Sequence, residues 1–154
     1  MVLWVAAGVV LPTWAATAQA QMALSAAINV SGSFRALSQR MAKAYCQQHL
    51  QVMPLAALDV LAKVRKQAQA GAADLAKGST AGAWPADLSR QLEEVQKQYT
   101  VLNTLTATAP SKASAAAVAE QADRMMTAAQ TATESLEKLA RARSAKLVDM
   151  AGRQ

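Results

Sequence analysis

From Ser111 onward the apolar residues recur in steps of four and three: Val118, Ala122, Met125, Ala129, Ala132, Leu136 and Leu139. That spacing keeps them on one side of a helix, as the seam of a helix in a bundle requires. Leu147 and Met150 extend the seam, with a drift in spacing near Arg143. Near the start, Leu24, Phe34, Leu37, Met41 and Tyr45 fall together on a first helix and can feed a core. Pro54 ends or restarts a helix. The segment "PLAALDVLAKVRKQAQAGAADLAK" then reads as the second helix, with Gly71 as a point of looseness. "GSTAGAWPADLS" reads as a loop, in which Pro85 suits a first helical turn and Asp87 puts negative charge near the helix start. The third helix takes "ADLSRQLEEVQKQYTVLNTLTAT". Pro110 and Ser111 break the chain again, and Ser111 or Ser114 is placed to cap the fourth. Four helices with short connections predict an all-α antiparallel four-helix bundle with long first and last helices.

Composition agrees with that pattern. Alanine is abundant, aromatic residues make up 4% of the chain, and the dominant residues lose little on entering a helix. At 154 residues the chain is long enough for one real core. The net charge is +6, and no residue before Arg35 carries a formal side-chain charge. Basic residues gather between Arg35 and Lys66 and between Lys138 and Arg153, either as solvated helix faces or as a surface for anionic partners. Nucleic acid is not an expected partner: no binding motif is visible and the few aromatics are not interleaved with the basic residues. Cys46 is the only cysteine, so it is either a buried thiol or one half of an intermolecular bridge. His49 is the only histidine and has no carboxylate pair or nucleophile around it. No catalytic residue, metal site or cofactor is therefore expected. The Met125–Met126 pair reads as core filling.

The first twenty residues, "MVLWVAAGVVLPTWAATAQA", have the form of an export leader. Met1 to Leu11 matches a leader core in length, and Ala18-Gln19-Ala20 supplies small residues for cleavage before Gln21. The run is short for a membrane span. Residues 1–20 are accordingly expected to be a signal peptide directing the chain to the periplasm. Lacking a basic residue ahead of the core, the stretch has a second reading, as an uncleaved tether to the inner membrane.

The first helix contains "INVSGSFRALSQRMAKAYCQ". Ile28, Ser31, Gly32, Arg35, Ser38, Gln39 and Ala42 form one small, polar stripe. Gly32 costs roughly 1 kcal/mol against Ala in a helix interior, a cost that close approach of another backbone would justify. Two chains meeting there would bring two Arg35 side chains together, and a small anion between them would remove their repulsion. Guanidinium forks match planar oxyanions such as nitrate. The competing reading is an exposed arginine beside an ordinary packing glycine.

The same stretch resembles the signature of the type IV pilus methyl-accepting chemotaxis transducer N-terminal domain, the PilJ-type family. Leu37, Ser38, Gln39, Arg40, Met41, Ala42 and Lys43 match that signature directly. Ser33 and Phe34 depart from it toward the motif of nitrate/nitrite sensor kinases, which Gly32, Ser33, Arg35, Ser38 and Arg40 match. The resemblance implies that Arg35, with backbone near Gly32 and the flanking Ser31 and Ser33, holds a small anion at a dimer interface, and that Ser38, Gln39 and Arg40 are motif or structural positions. Ala36 replaces the usual Met of that motif.

"LVDMAGRQ", from Leu147 to Gln154, is similar to the opening of the same motif, with Gly152 in the place of Gly32. The expected organisation is a leader over 1–20, a helical sensor module over 21–146, and the start of a second, tandem module over 147–154. The expected function is an exported, non-enzymatic sensor for a nitrate- or nitrite-like anion. It would act as a homodimer or as paired tandem repeats and signal through a membrane partner. The alternative is a ligand-free helical interaction or scaffold module of the cell envelope.

Overall fold

The computed structural model describes residues 14–80 and 84–153, with side chains from Leu24 to Lys77 and from Trp84 to Arg153. The leader core expected over Met1 to Leu11 lies outside the described residues. Four helices follow one another: α1 (Trp14–His49), α2 (Pro54–Thr80), α3 (Ala86–Leu105) and α4 (Lys112–Ala151). The first and last are the longest, at 36 and 40 residues. Backbone helix of α1 runs unbroken through Ala18–Ala20 and Gln21, the expected cleavage point. Among the described residues there is no strand, and no helix is long and apolar enough to cross a membrane.

Each chain reversal has a local cause. At the end of α1, Gln51 N–H donates to Gln48 O at 3.2 Å and Val52 N–H to Gln47 O at 2.9 Å. This paired return of backbone bonds closes a helix around one left-handed residue, and Gln51 supplies it at φ 56°. Met53 is left-handed too, at φ 48°, and Pro54 then opens α2. Pro85 stands at the N-cap of α3, and Asp87 lies in its first turn. α4 begins with a reciprocal cap: Ser111 accepts from Ser114 N–H at 3.1 Å, and the Ser114 hydroxyl accepts from Ser111 N–H at 2.8 Å. Both serines thus act, Ser111 as the N-cap and Ser114 three residues on.

The helices close a bundle in which α1 packs most extensively on α4, then on α2, while α3 packs on α4. The α2–α3 side is the most open seam. The interior is built from the expected α1 residues Leu24, Phe34, Leu37, Met41 and Tyr45, all buried. It meets Val64 and Ala68 of α2, Leu92, Val95 and Leu102 of α3, and the α4 seam from Val118 to Leu136. Burying each of the larger side chains stabilises the fold by about 1.5–3 kcal/mol. Phe34 and Tyr99 meet as tilted rings 6.0 Å apart, tying α1 to α3 across the centre. The Tyr45 hydroxyl lies 3.0–3.2 Å from Thr108, Ala109 and Ser114 oxygens, fastening α1 to the α3–α4 connection.

Four expectations are corrected. Gly71 does not loosen α2; the helix runs through it to Thr80. A Cβ there would stand 3.1 Å from Val30 Cγ1 and 3.4 Å from Phe34 Cζ, so the missing side chain lets α2 lie close against α1. The loop expected from Gly78 starts later, since Gly78 to Thr80 are still helical. The α4 seam ends at Leu139, and Leu147 and Met150 are 45% and 57% exposed. By the register of the Gln121–Gln98 contact, α3 starts about level with Thr133, so α4 outruns its neighbour beyond that point. Of the methionine pair, Met125 is fully buried while Met126 is exposed at the rim beside Gln39.

Candidate functional site

The small polar stripe of α1 faces α4 of the same chain. Ser31 is fully buried there. Its Oγ lies 3.4 Å from Ala129 O, and the Thr133 hydroxyl lies 3.1 Å from Ser31 Oγ and 2.7 Å from Ala129 O. Small side chains on both helices, with Ala129 and Ala132 fully buried, permit this close contact, and the two hydroxyls satisfy each other where water is excluded. Ser38 is also fully buried and donates to Arg35 O at 3.0 Å. Ala42 completes the buried edge of the stripe.

The remaining motif residues lie along the rim. Gly32 is half-buried, and a Cβ added to it would stand 3.5 Å from Arg35 Nη2 and 3.8 Å from Thr133 Cγ2, ordinary contact distances. Within one chain, therefore, nothing requires glycine at this position. Ser33 donates to Val30 O at 2.7 Å, so its hydroxyl is spent on its own helix. Gln39 donates to Asp123 Oδ1 at 2.9 Å, and Arg40 is exposed.

Arg35 is exposed beside this seam. Its Nε donates to Gly32 O at 3.2 Å, folding the side chain back over the glycine. Its Nη1 donates across the groove to Gln130 Oε1 at 2.5 Å, and the Gln130 amide bonds Glu134. A guanidinium has five N–H donors, of which these contacts take two. The α4 side of the groove carries two carboxylates, Asp123 bonded by Gln39 and Glu134 bonded by Gln130. The structure thus brings Gly32 and Arg35 together as expected. It places Ser31 inward, Ser33 against its own backbone, and Gln39 and Arg40 outside the group.

Gln130, Thr133 and Glu134 complete the surroundings of Arg35 and Ser31 and were not foreseen from sequence. Their signal was available in part: Gln130 and Glu134 are one turn apart on the polar flank of the α4 seam. Which helix that flank would face was not. Cys46 is half-buried, with Sγ 4.0 Å from Ala115 O. Among the described residues no three of His, Cys, Asp and Glu gather as a metal ion would need.

The family model described as "Type IV pili methyl-accepting chemotaxis transducer N-term" (PilJ) matches residues 16–132. That span takes in α1 with the Arg35 motif, α2, α3 and half of α4. No curated protein and no solved structure matches the chain. With that model matching most of its length, this chain belongs to the PilJ family of chemotaxis-transducer N-terminal domains, a sensory rather than catalytic family.

Proposed function

We propose that this module senses a small oxyanion of the nitrate or nitrite type in the periplasm, with Arg35 as the recognising group and a second Arg35 completing the site. The observation that carries the reading is the pairing of Arg35 with Gly32: the guanidinium lies over a helix position that is glycine without any steric need inside the chain. A need outside the chain accounts for it, namely the close approach of a second α1. The outer side of α1 suits such a partner. Ser25, Asn29, Ala36 and the half-buried Gly32 and Ser33 are small or uncharged, leaving Arg35 the one formal charge between Leu24 and Gln39. The second α1 comes from another copy of the chain or from a tandem module of the kind that "LVDMAGRQ" resembles. An anion seated between two guanidinium groups fixes the relative position of the helices that carry them, and a membrane-bound signalling partner can read that position.

A second reading has its own observation. Arg35 already has a partner on its own chain, Gln130, as a purely structural arginine would. On that reading the module is a ligand-free interaction scaffold of the envelope.

Titration calorimetry with sodium nitrate on the wild type and on Arg35→Ala decides between them. Saturable heat that vanishes in the variant supports sensing. An absence of heat with nitrate and nitrite, or heat unchanged by Arg35→Ala, favours the scaffold.

A further inference from the structure

The open side of the bundle, between α2 and α3, holds a cleft of about 370 Å³ lined by Ala62, Arg65, Lys66, Gln69, Tyr99 and Asn103. Two of these are cations, three are neutral hydrogen-bonding groups, and none is a carboxylate. Arg65 is half-buried and donates through Nε to Asn103 Oδ1 at 2.8 Å, which fastens it to α3. Both Nη groups remain unengaged among the described residues. The carboxylates of α2 are occupied elsewhere: Asp59 holds Lys63 at 2.7 Å and Asp74 holds Lys77 at 3.2 Å. Both Arg65 and Lys66 line the cleft, and neither has an ion pair among the described residues; an anion there is least screened at the half-buried Arg65.

Tyr99 forms the inner wall and is only 8% exposed. Burial pushes its phenol above the ordinary value, an effect the Arg65 charge partly opposes, so the hydroxyl keeps its proton and remains a donor at neutral pH. The cleft therefore offers charge and neutral donors beside an aromatic ring and a methyl group. Its volume lies in the range of small-molecule pockets, about 300–1,000 Å³, well beyond what a bare inorganic oxyanion fills.

We propose that the α2–α3 cleft is a second ligand site, taking a small organic carboxylate whose charged end lies on Arg65 and Lys66 and whose carbon skeleton lies against Tyr99. A planar carboxylate matches the free fork of Arg65. The site is separate from Arg35, which lies on the α1–α4 seam. It does not depend on a second chain.

The test is calorimetry of the whole chain with succinate as the probe, run beside sodium nitrate and inorganic phosphate. Succinate should give saturable heat. Arg65→Gln should weaken it on the order of tenfold or more, exposed Lys66→Met should weaken it to a lesser degree, and Arg35→Ala should leave it unchanged. The Arg65 Nε–H resonance should move on adding succinate. Absence of succinate binding, binding indifferent to both Arg65→Gln and Lys66→Met, or binding abolished by Arg35→Ala would each overturn the proposal. So would binding of phosphate or nitrate here without succinate.

Discussion

Arg35 reaches Gln130 across the α1–α4 groove through one N–H, and Gln130 passes the contact on to Glu134. A positive group and a negative group are thereby linked through a neutral amide. The carboxylate steadies the amide, but it also lowers the positive potential that an anion at Arg35 would feel. Glu134→Gln keeps the hydrogen-bonding shape and removes the charge. At low salt it should tighten nitrate binding by about two- to fivefold, the worth of an exposed charge contact, and the gain should fade as salt is added. Calorimetry across a salt series checks both parts.

Gly32 and Gly71, both half-buried in their helices, differ in what surrounds them. Gly32→Ala meets only ordinary contacts and should raise the stability of the isolated chain by up to about 1 kcal/mol. Gly71→Ala meets Val30 Cγ1 at 3.1 Å and should gain less, and Gly71→Leu should cost about 1–3 kcal/mol by overpacking. Urea unfolding of the three variants gives the order. A Gly32→Ala chain that is more stable yet no longer binds nitrate would place the need for glycine between chains.

Gln51 holds a left-handed conformation at the end of α1, where a side chain costs roughly 1 kcal/mol or more. Gln51→Gly relieves it. The variant forfeits the side-chain bond from Gln51 Nε2 to Gln48 O, which is exposed and worth little. The net expectation is a gain of about 0.5–1 kcal/mol, read as a higher urea midpoint with an unchanged slope.

The buried phenol of Tyr99 ties stability to alkaline pH. Its folded value is raised by burial, with Arg65 opposing, so the folded chain holds that proton more firmly than the unfolded chain. The resulting stabilisation is fully present below the unfolded value, about 10, and is lost as pH rises through the folded one. Urea midpoints of the wild type should fall more steeply above that point than those of Tyr99→Phe. Arg65→Gln removes the opposing charge and should make the loss deeper and carry it on to higher pH, with the same onset.

Much of the architecture could be read from residue pattern because its causes are local. Proline placement marked the starts of α2 and α3, the Ser111–Ser114 pair marked that of α4, and the four-three spacing from Val118 to Leu139 marked its buried seam. Gly71 was misjudged because its reason is the position of Val30 and Phe34, far back in the chain on α1. Leu147 and Met150 keep the helical rhythm, but periodicity does not say where the facing helices stop. At the candidate site, the motif singled out Gly32 and Arg35 correctly as neighbours. It was silent on Gln130 and Glu134, since nothing in α1 states which flank of α4 it will meet. The Arg65–Tyr99 cleft had no motif at all; it arises where two helices fail to close on each other.

α1 passes through Gly32 without a change of helix type, from Trp14 to His49. At 1.5 Å per residue it is a rod about 54 Å long, and it has none of the joints that proline or an inserted residue would make. Such a rod transmits displacement the way a pushrod does. On the proposed reading, a slide or twist imposed beside Arg35 meets no proline or inserted residue in α1 that would take it up before the helix ends.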